Sequence, residues 1–190
     1  MANRHYGRNV LAAALAMILF TSAGHAAEIH GVQFPDQVHV NGRVLTIKGT
    51  AILKWAGLFS VYVGAFYLPA EVPADRWRDD VAKKLELSYF REIEGEDFGK
   101  ASDKLLRENH SEKDYQILES RLNLLYRLFQ DVRAGDRYGL AYSPGGGTEL
   151  RLNGQILGTI PGADFAVAYF GIWLGDNPIS EDFRDNLLGR

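Results

Sequence analysis

Phe59-Ser-Val-Tyr-Val-Gly-Ala-Phe-Tyr-Leu68 is apolar on both faces of an extended chain, the pattern of a central strand covered on both sides. Because side chains alternate across a strand, Tyr62 shares a face with Ser60, Gly64, Phe66 and Leu68. The segment therefore predicts the middle of a sheet, and the sequence around it supplies the neighbours. Upstream, Asn41-Gly42 is the dipeptide of a type I′ turn and joins residues 37–40 to 43–53. Downstream, Asn153-Gly154 does the same for 148–152 and 155–160. Residues 84–90 and 137–142 bring the expected total to six or seven strands.

Helical periodicity sits between these strands and after them. Ser111 with Asp114 three residues on has the spacing of a capping box, and Tyr115, Leu118, Leu122, Leu125 and Phe129 then recur on one face. Residues 96–109 read as a shorter helix with Phe98, Ala101 and Leu105 inward, and 76–82 as a turn or two. Residues 163–174 and 180–188 close the chain, the second with Ser180 as N-cap, Glu181 and Asp182 in its first turn and Gly189 at its end. Strands and helices grouped in this way predict an α+β fold. The Ser-Pro-Gly-Gly-Gly tract at 143–147 is a loop and not a linker between domains.

The first residues read as an address. Arg4 and Arg8 precede an unbroken apolar stretch at 10–20, and Ala23-Gly24-His25-Ala26 offers the small residues that a signal peptidase accepts. The expected organisation is a signal peptide over residues 1–26 and one domain over 27–190, with a periplasmic or secreted product. Eleven apolar residues fall short of the roughly 20 that span a bilayer, and no second such stretch follows, so no membrane span is expected in the mature chain. Removing 1–26 takes away two basic residues and no acid. That leaves 19 Lys and Arg against 24 Asp and Glu, a net charge of −5 with no basic stripe, which argues against a nucleic-acid partner. Cysteine is absent, which excludes thiol nucleophiles, thiolate metal sites and disulfides.

Other chemistries lack their anchors. Gly145-Gly146-Gly147 precedes a strand and not a helix, so it is no phosphate loop, and no Gly-x-Ser-x-Gly elbow occurs. His30, His39 and His110 form no i, i+4 pair and have no carboxylate cluster nearby, so neither a metal nor a cofactor is expected. What stands out is Arg43. Strict alternation from it runs through Leu45, Ile47, Ala51 and Leu53, which puts a cation on the apolar face of its strand. Burying it unpaired costs several kcal/mol, so it is paired, exposed at the strand's end, or placed to meet an anion. A strand-end arginine reaching water is the commonest of these arrangements. Tyr62 presents a similar choice: a phenol on an apolar face either packs against a neighbouring carbonyl or joins Arg43 in holding a carboxylate or an enolate oxygen.

The run Arg43-Val-Leu-Thr-Ile-Lys-Gly49, the strand Val61-Tyr-Val-Gly-Ala-Phe-Tyr-Leu68 and the tail Gly171-Ile-Trp-Leu-Gly-Asp-Asn-Pro-Ile-Ser180, followed by Asp182-Phe-Arg-Asp-Asn-Leu-Leu188, resemble the chalcone isomerase-like family, in particular its exported bacterial branch. The resemblance covers about Gly31 to Gly189. It implies an antiparallel sheet with a helical layer packed on one face and a ligand cleft between them. It places Arg43 on the arginine that stabilises developing negative charge in the plant enzymes. Tyr62 then stands where those enzymes carry a threonine, as it does in the family's fatty-acid-binding branch, where arginine and tyrosine grip a carboxylate. Ile172, one residue before Trp173, replaces a second threonine. The helix expected to carry the catalytic tyrosine, 99–109, has none, and Asn109 matches the family's ring-binding asparagine.

These departures remove the hydroxyls that orient the substrate of the isomerase, so that activity is expected to be lost or very weak. The expected function is non-catalytic binding of a small apolar acid, fatty or aromatic. Arg43 and Tyr62 would be the head-group clamp, and Ile172, Trp173 and Asn109 would line the site. Two alternatives remain open at this point: an isomerase or intramolecular lyase acting on an enone through Arg43 and Tyr62, and an envelope accessory protein with a vestigial cleft.

Overall fold

Both Asn-Gly dipeptides turn hairpins. Asn41 and Gly42 have φ of 46° and 77°, and Asn153 and Gly154 have 50° and 83°, the pair of left-handed residues that a type I′ turn demands. The computed structural model describes residues 26–55 and 58–190, so residues 1–25 of the expected signal peptide lie outside the described residues. A third turn of the same kind, His30-Gly31 with φ of 50° and 77°, joins β1 (Ala26–Ile29) to β2 (Val32–Pro35). This hairpin was not expected. His is among the few non-glycine residues that tolerate the left-handed region, which is how the turn forms without asparagine.

The main sheet is a seven-stranded antiparallel meander in which every strand pairs with its neighbours in sequence: β3 (Gln37–Val40), β4 (Arg43–Trp55), β5 (Phe59–Leu68), β6 (Lys83–Tyr89), β7 (Arg137–Ser143), β8 (Gly147–Leu152) and β9 (Gln155–Ile160). The sheet is curled, and four helices pack on it: α1 (Gly95–Asn109), α2 (Glu112–Tyr126), α3 (Ala163–Leu174) and α4 (Glu181–Leu187). Ser111 and Ser180 cap α2 and α4 as expected, accepting from the backbone N–H of Asp114 at 3.2 Å and of Phe183 at 3.3 Å. The apolar core lies between sheet and helices.

The opposite face is apolar too, beneath the β1–β2 hairpin, where Phe34, Leu45, Val63, Ala65 and Tyr67 pack together. Arg137 fastens that hairpin from β7. Its guanidinium donates to the Gln33 carbonyl at 3.0 Å, lies 5.0 Å from the Phe34 ring centroid and pairs with Glu86 at 2.9 Å. Cover on both faces is what the uniformly apolar β5 required.

One expectation fails at β4. Ile47 pairs with Tyr67 but Gly49 pairs with Phe66, so Lys48 is an extra residue, a β-bulge. The bulge reverses the alternation. Leu45 and Ile47 belong to the hairpin-side core, whereas Ala51 and Leu53 face the helices. Arg43 is therefore on the face opposite Ala51 and Leu53. The bulge also sets Gly49 against the end of α4. A Cβ at Gly49 would lie 2.1 Å from the Asn186 carbonyl oxygen and 2.7 Å from that of Leu187, so helix and strand approach more closely than any other residue allows.

Candidate functional site

Tyr62 is the centre of the inter-layer core. It stands on β5 with Leu53 of β4 as one cross-strand partner and Tyr89 of β6 as the other. Its ring meets that of Tyr89 edge-on at 5.5 Å between centroids and that of Phe183 from α4 at 5.5 Å and 88°. The fit is tight, since a Cβ on neighbouring Gly64 would fall 2.8 Å from Phe183 Cζ and 2.9 Å from Leu87 Cδ2. α3 brings Trp173 from 111 residues away, and its indole Nε1–H donates to the Tyr62 hydroxyl at 3.0 Å. A second polar pair lies in the same layer, with Ser102 of α1 and the Tyr169 hydroxyl 2.9 Å apart.

Protonation in this layer is one-sided. Burial pushes the Tyr62 phenol up beyond its ordinary range, with the Trp173 bond pulling weakly the other way, and burial does the same to Tyr89 and Tyr169. These phenols stay neutral at any physiological pH. The indole of Trp173 can only donate, so Tyr62 accepts that bond and retains its own hydroxyl proton, for which the described residues supply no acceptor. Chemically the spot is a hydrogen-bond donor in an aromatic surround. It has the makings of a docking point for an oxygen atom and lacks a base.

The expected site residues separate into three places. Tyr62 and Trp173 come together, and Ile172 is buried in the same core. Arg43 does not join them. It is exposed at the first position of β4, beside the Asn41-Gly42 turn, and belongs by alternation to the face of Leu45 and Ile47. The expected Arg43–Tyr62 clamp is thus not formed, for two reasons: the bulge at Lys48 puts Arg43 on the opposite face, and the pairing of Leu53 with Tyr62 leaves Arg43 ten residues further along β4, roughly 30 Å away. Asn109 lies elsewhere again, at the end of α1. It exchanges two hydrogen bonds with Asn177, Nδ2 to the Asn177 carbonyl at 2.8 Å and Asn177 Nδ2 to Oδ1 at 2.9 Å.

Asn109 borders an open cleft of about 620 Å³ on the far side of α3, floored by Trp77, Leu118, Ala168 and Gly171. Arg78 stacks 4.5 Å from the Trp77 ring centroid and pairs with Asp176 at 2.9 Å across the rim. Asp114 and Asp164 also line it. Asp176 is held by Arg78 and Asp164 by Arg121, at 2.6 Å, so both arginines are engaged and Asp114 adds a further negative charge, which makes this cleft a poor host for an acid. Behind it, the wholly buried Lys83 ammonium donates to the carbonyls of Trp77 at 2.6 Å and Asp79 at 2.8 Å and holds the wall in place.

Sequence reasoning missed Tyr89, Phe183, Ser102 and Tyr169. Tyr89 and Tyr169 carried the signal of apolar periodicity, but periodicity does not report that their hydroxyls share a layer with Tyr62. Among the described residues no group of His, Asp and Glu could hold a metal ion, and no helix is long and apolar enough to cross a membrane.

Comparison with known proteins agrees with this architecture. No curated protein matches the chain. Among solved structures, the fatty-acid binding protein AtFAP1 of Arabidopsis thaliana superposes with a TM-score of 0.66 at 15% identity, over 86% of this chain and 96% of that one, and so shares the fold. A family model described as chalcone isomerase-like matches residues 26–189. With the curled antiparallel meander and its helical layer already in view, that match over nearly the whole described chain shows that this protein belongs to the chalcone isomerase-like family.

Proposed function

We propose that the protein binds a small apolar acid of the fatty or aromatic kind between its sheet and its helices, without transforming it, and does so in the periplasm once residues 1–26 are removed. The observation that carries this reading is the Tyr62 hydroxyl: buried among aromatic rings, anchored by Trp173, and still holding a proton to donate. An apolar surround with one or two placed polar groups is the ordinary composition of a small-molecule site, and here that surround is closed by the Phe183 ring. Family membership supports the binding reading, as does the likeness in fold to a fatty-acid binding protein. The position of Arg43 argues against the isomerase alternative. A cation on the opposite face of the sheet is badly placed to stabilise charge developing at Tyr62.

A ligand reaching Tyr62 takes space now filled by the Phe183 ring, so α4 must yield for it to enter. Isothermal titration with octanoic acid at about pH 5, where a substantial share is protonated, tests the reading. Tyr62→Phe removes one donor and leaves the ring, and a net hydrogen bond of about 0.5–1.5 kcal/mol corresponds to a roughly two- to tenfold loss of affinity. Unchanged affinity in Tyr62→Phe, or no binding of octanoic acid to the wild type, would refute the proposal.

A further inference from the structure

We infer that the head group recognised at Tyr62 is uncharged, a carbonyl, an ester or a protonated acid, and not a carboxylate. The inference rests on the reading that the ligand lies at Tyr62 and narrows the chemistry of what binds there.

It follows from what faces that hydroxyl. From β4 the cross-strand neighbour is Leu53; from β6 it is Tyr89; from α4 it is Phe183; and from α3 it is Trp173, with Tyr169 a turn before it. The titratable groups among these are phenols, and none is a cation or a carboxylate. The cations carried by the same elements are engaged or exposed. On β4, Arg43 is exposed on the other face, Lys48 donates to the Ala70 carbonyl at 3.1 Å and Lys54 is exposed. On β6, Lys83 is bound to two carbonyls and Lys84 pairs with Glu86 on the opposite face. On α4, Arg184 pairs with Asp185 at 2.8 Å.

A carboxylate moved from water into this layer would lose its hydration and gain two neutral donors at most, and an ionised group buried without a counter-ion takes up a proton instead. A ketone or ester oxygen carries no such penalty and accepts the same bond from Tyr62. Burial also keeps the Tyr62 proton in place throughout the neutral and mildly alkaline range, so the donor itself does not titrate across the test.

Three matched probes separate the outcomes: octanoic acid, methyl octanoate and octan-2-one, each titrated into the purified protein and into Tyr62→Phe between pH 5 and 8. Octan-2-one should bind with an affinity that is flat across this range, which also controls for any titration of the protein. Octanoic acid should weaken by about tenfold per pH unit above its own pKa of roughly 4–5, and at pH 8 methyl octanoate should bind at least tenfold more tightly than octanoate. Tyr62→Phe should weaken all three neutral forms by a similar factor. Octanoate binding as tightly as the ketone at pH 8, and still sensitive to Tyr62→Phe, would overturn the uncharged head group and leave the binding function standing. Probes that ignore Tyr62→Phe, or do not bind, would overturn the site itself.

Discussion

Removing the ring of Phe183 should turn the closed inter-layer core into an open one. Phe183 is 1% exposed, wedged edge-on against Tyr62 and touching the strand where Gly64 leaves room for it. A Phe→Ala change at such a site costs about 3–5 kcal/mol, with the upper end reached where the surroundings cannot collapse into the void. Collapse is restrained here, because the last turn of α4 already rests on the β4 backbone at Gly49 and can come no nearer. We therefore expect the upper half of that range. For a domain of this size the melting temperature would fall by about 8–20 °C, and the urea midpoint would drop with no change in slope. The void opens directly on the Tyr62 hydroxyl. Octan-2-one should bind Phe183→Ala more tightly than wild type, and at a hundredfold excess over its dissociation constant it should return about 2.7 kcal/mol of stability. Urea denaturation with and without ligand measures both quantities. A loss below about 1 kcal/mol, or a full loss that no ligand reverses, would show that the ring neither packs nor closes the site as the structure indicates.

Two further outcomes follow from close contacts elsewhere. Gly49→Ala places a methyl group against two backbone carbonyl oxygens of α4, which cannot turn aside, so it should destabilise by about 1–3 kcal/mol and speed hydrogen exchange in α4; an unchanged melting curve would contradict the contact. Lys83 is held by burial to a pKa of about 8, below the 10.5 it has when exposed, so between these values the unfolded chain binds the proton more tightly and stability rises with pH by up to about 1.4 kcal/mol per unit. Lys83→Met should flatten that rise between about pH 7.5 and 8.8, below the range in which the buried tyrosines, once exposed by unfolding, ionise and reverse the trend, and a rise surviving in the mutant would assign it to another group.

Features set by a few adjacent residues were legible in the sequence. Asn41-Gly42 and Asn153-Gly154 declare their turns because few other residue pairs accept two left-handed positions in succession, and Ser111 and Ser180 declare helix starts because a hydroxyl must reach the N–H three residues on. The two-sided burial of β5 is visible in its ten residues alone. The bulge at Lys48 is a different kind of fact. It goes with the docking of α4 against Gly49, a contact between opposite ends of the chain, and it shifts Arg43 to the other face. Strict alternation from Arg43 could not anticipate it. The Tyr62–Trp173 bond is likewise long-range. Resemblance brought both residues into the candidate site, but no spacing rule shows that one hydroxyl accepts from the other and keeps its own proton.

The meander has a bearing on how the chain folds. Two local units, β3 to β6 and β7 to β9, can each grow strand by strand from short connections, whereas joining β6 to β7 must close over α1 and α2. The closure of the helix side is a non-local event. Trp173 must meet Tyr62 across 111 residues, and α4 must then settle on β4, which was among the first strands formed. Chains are made from the N-terminus, so the aromatic face is assembled and exposed before the residues that cover it exist. Phe183 is among the last side chains to arrive. If the ligand lies at Tyr62 as proposed, a small apolar molecule present during that interval would meet an uncovered Tyr62 with no barrier from α4.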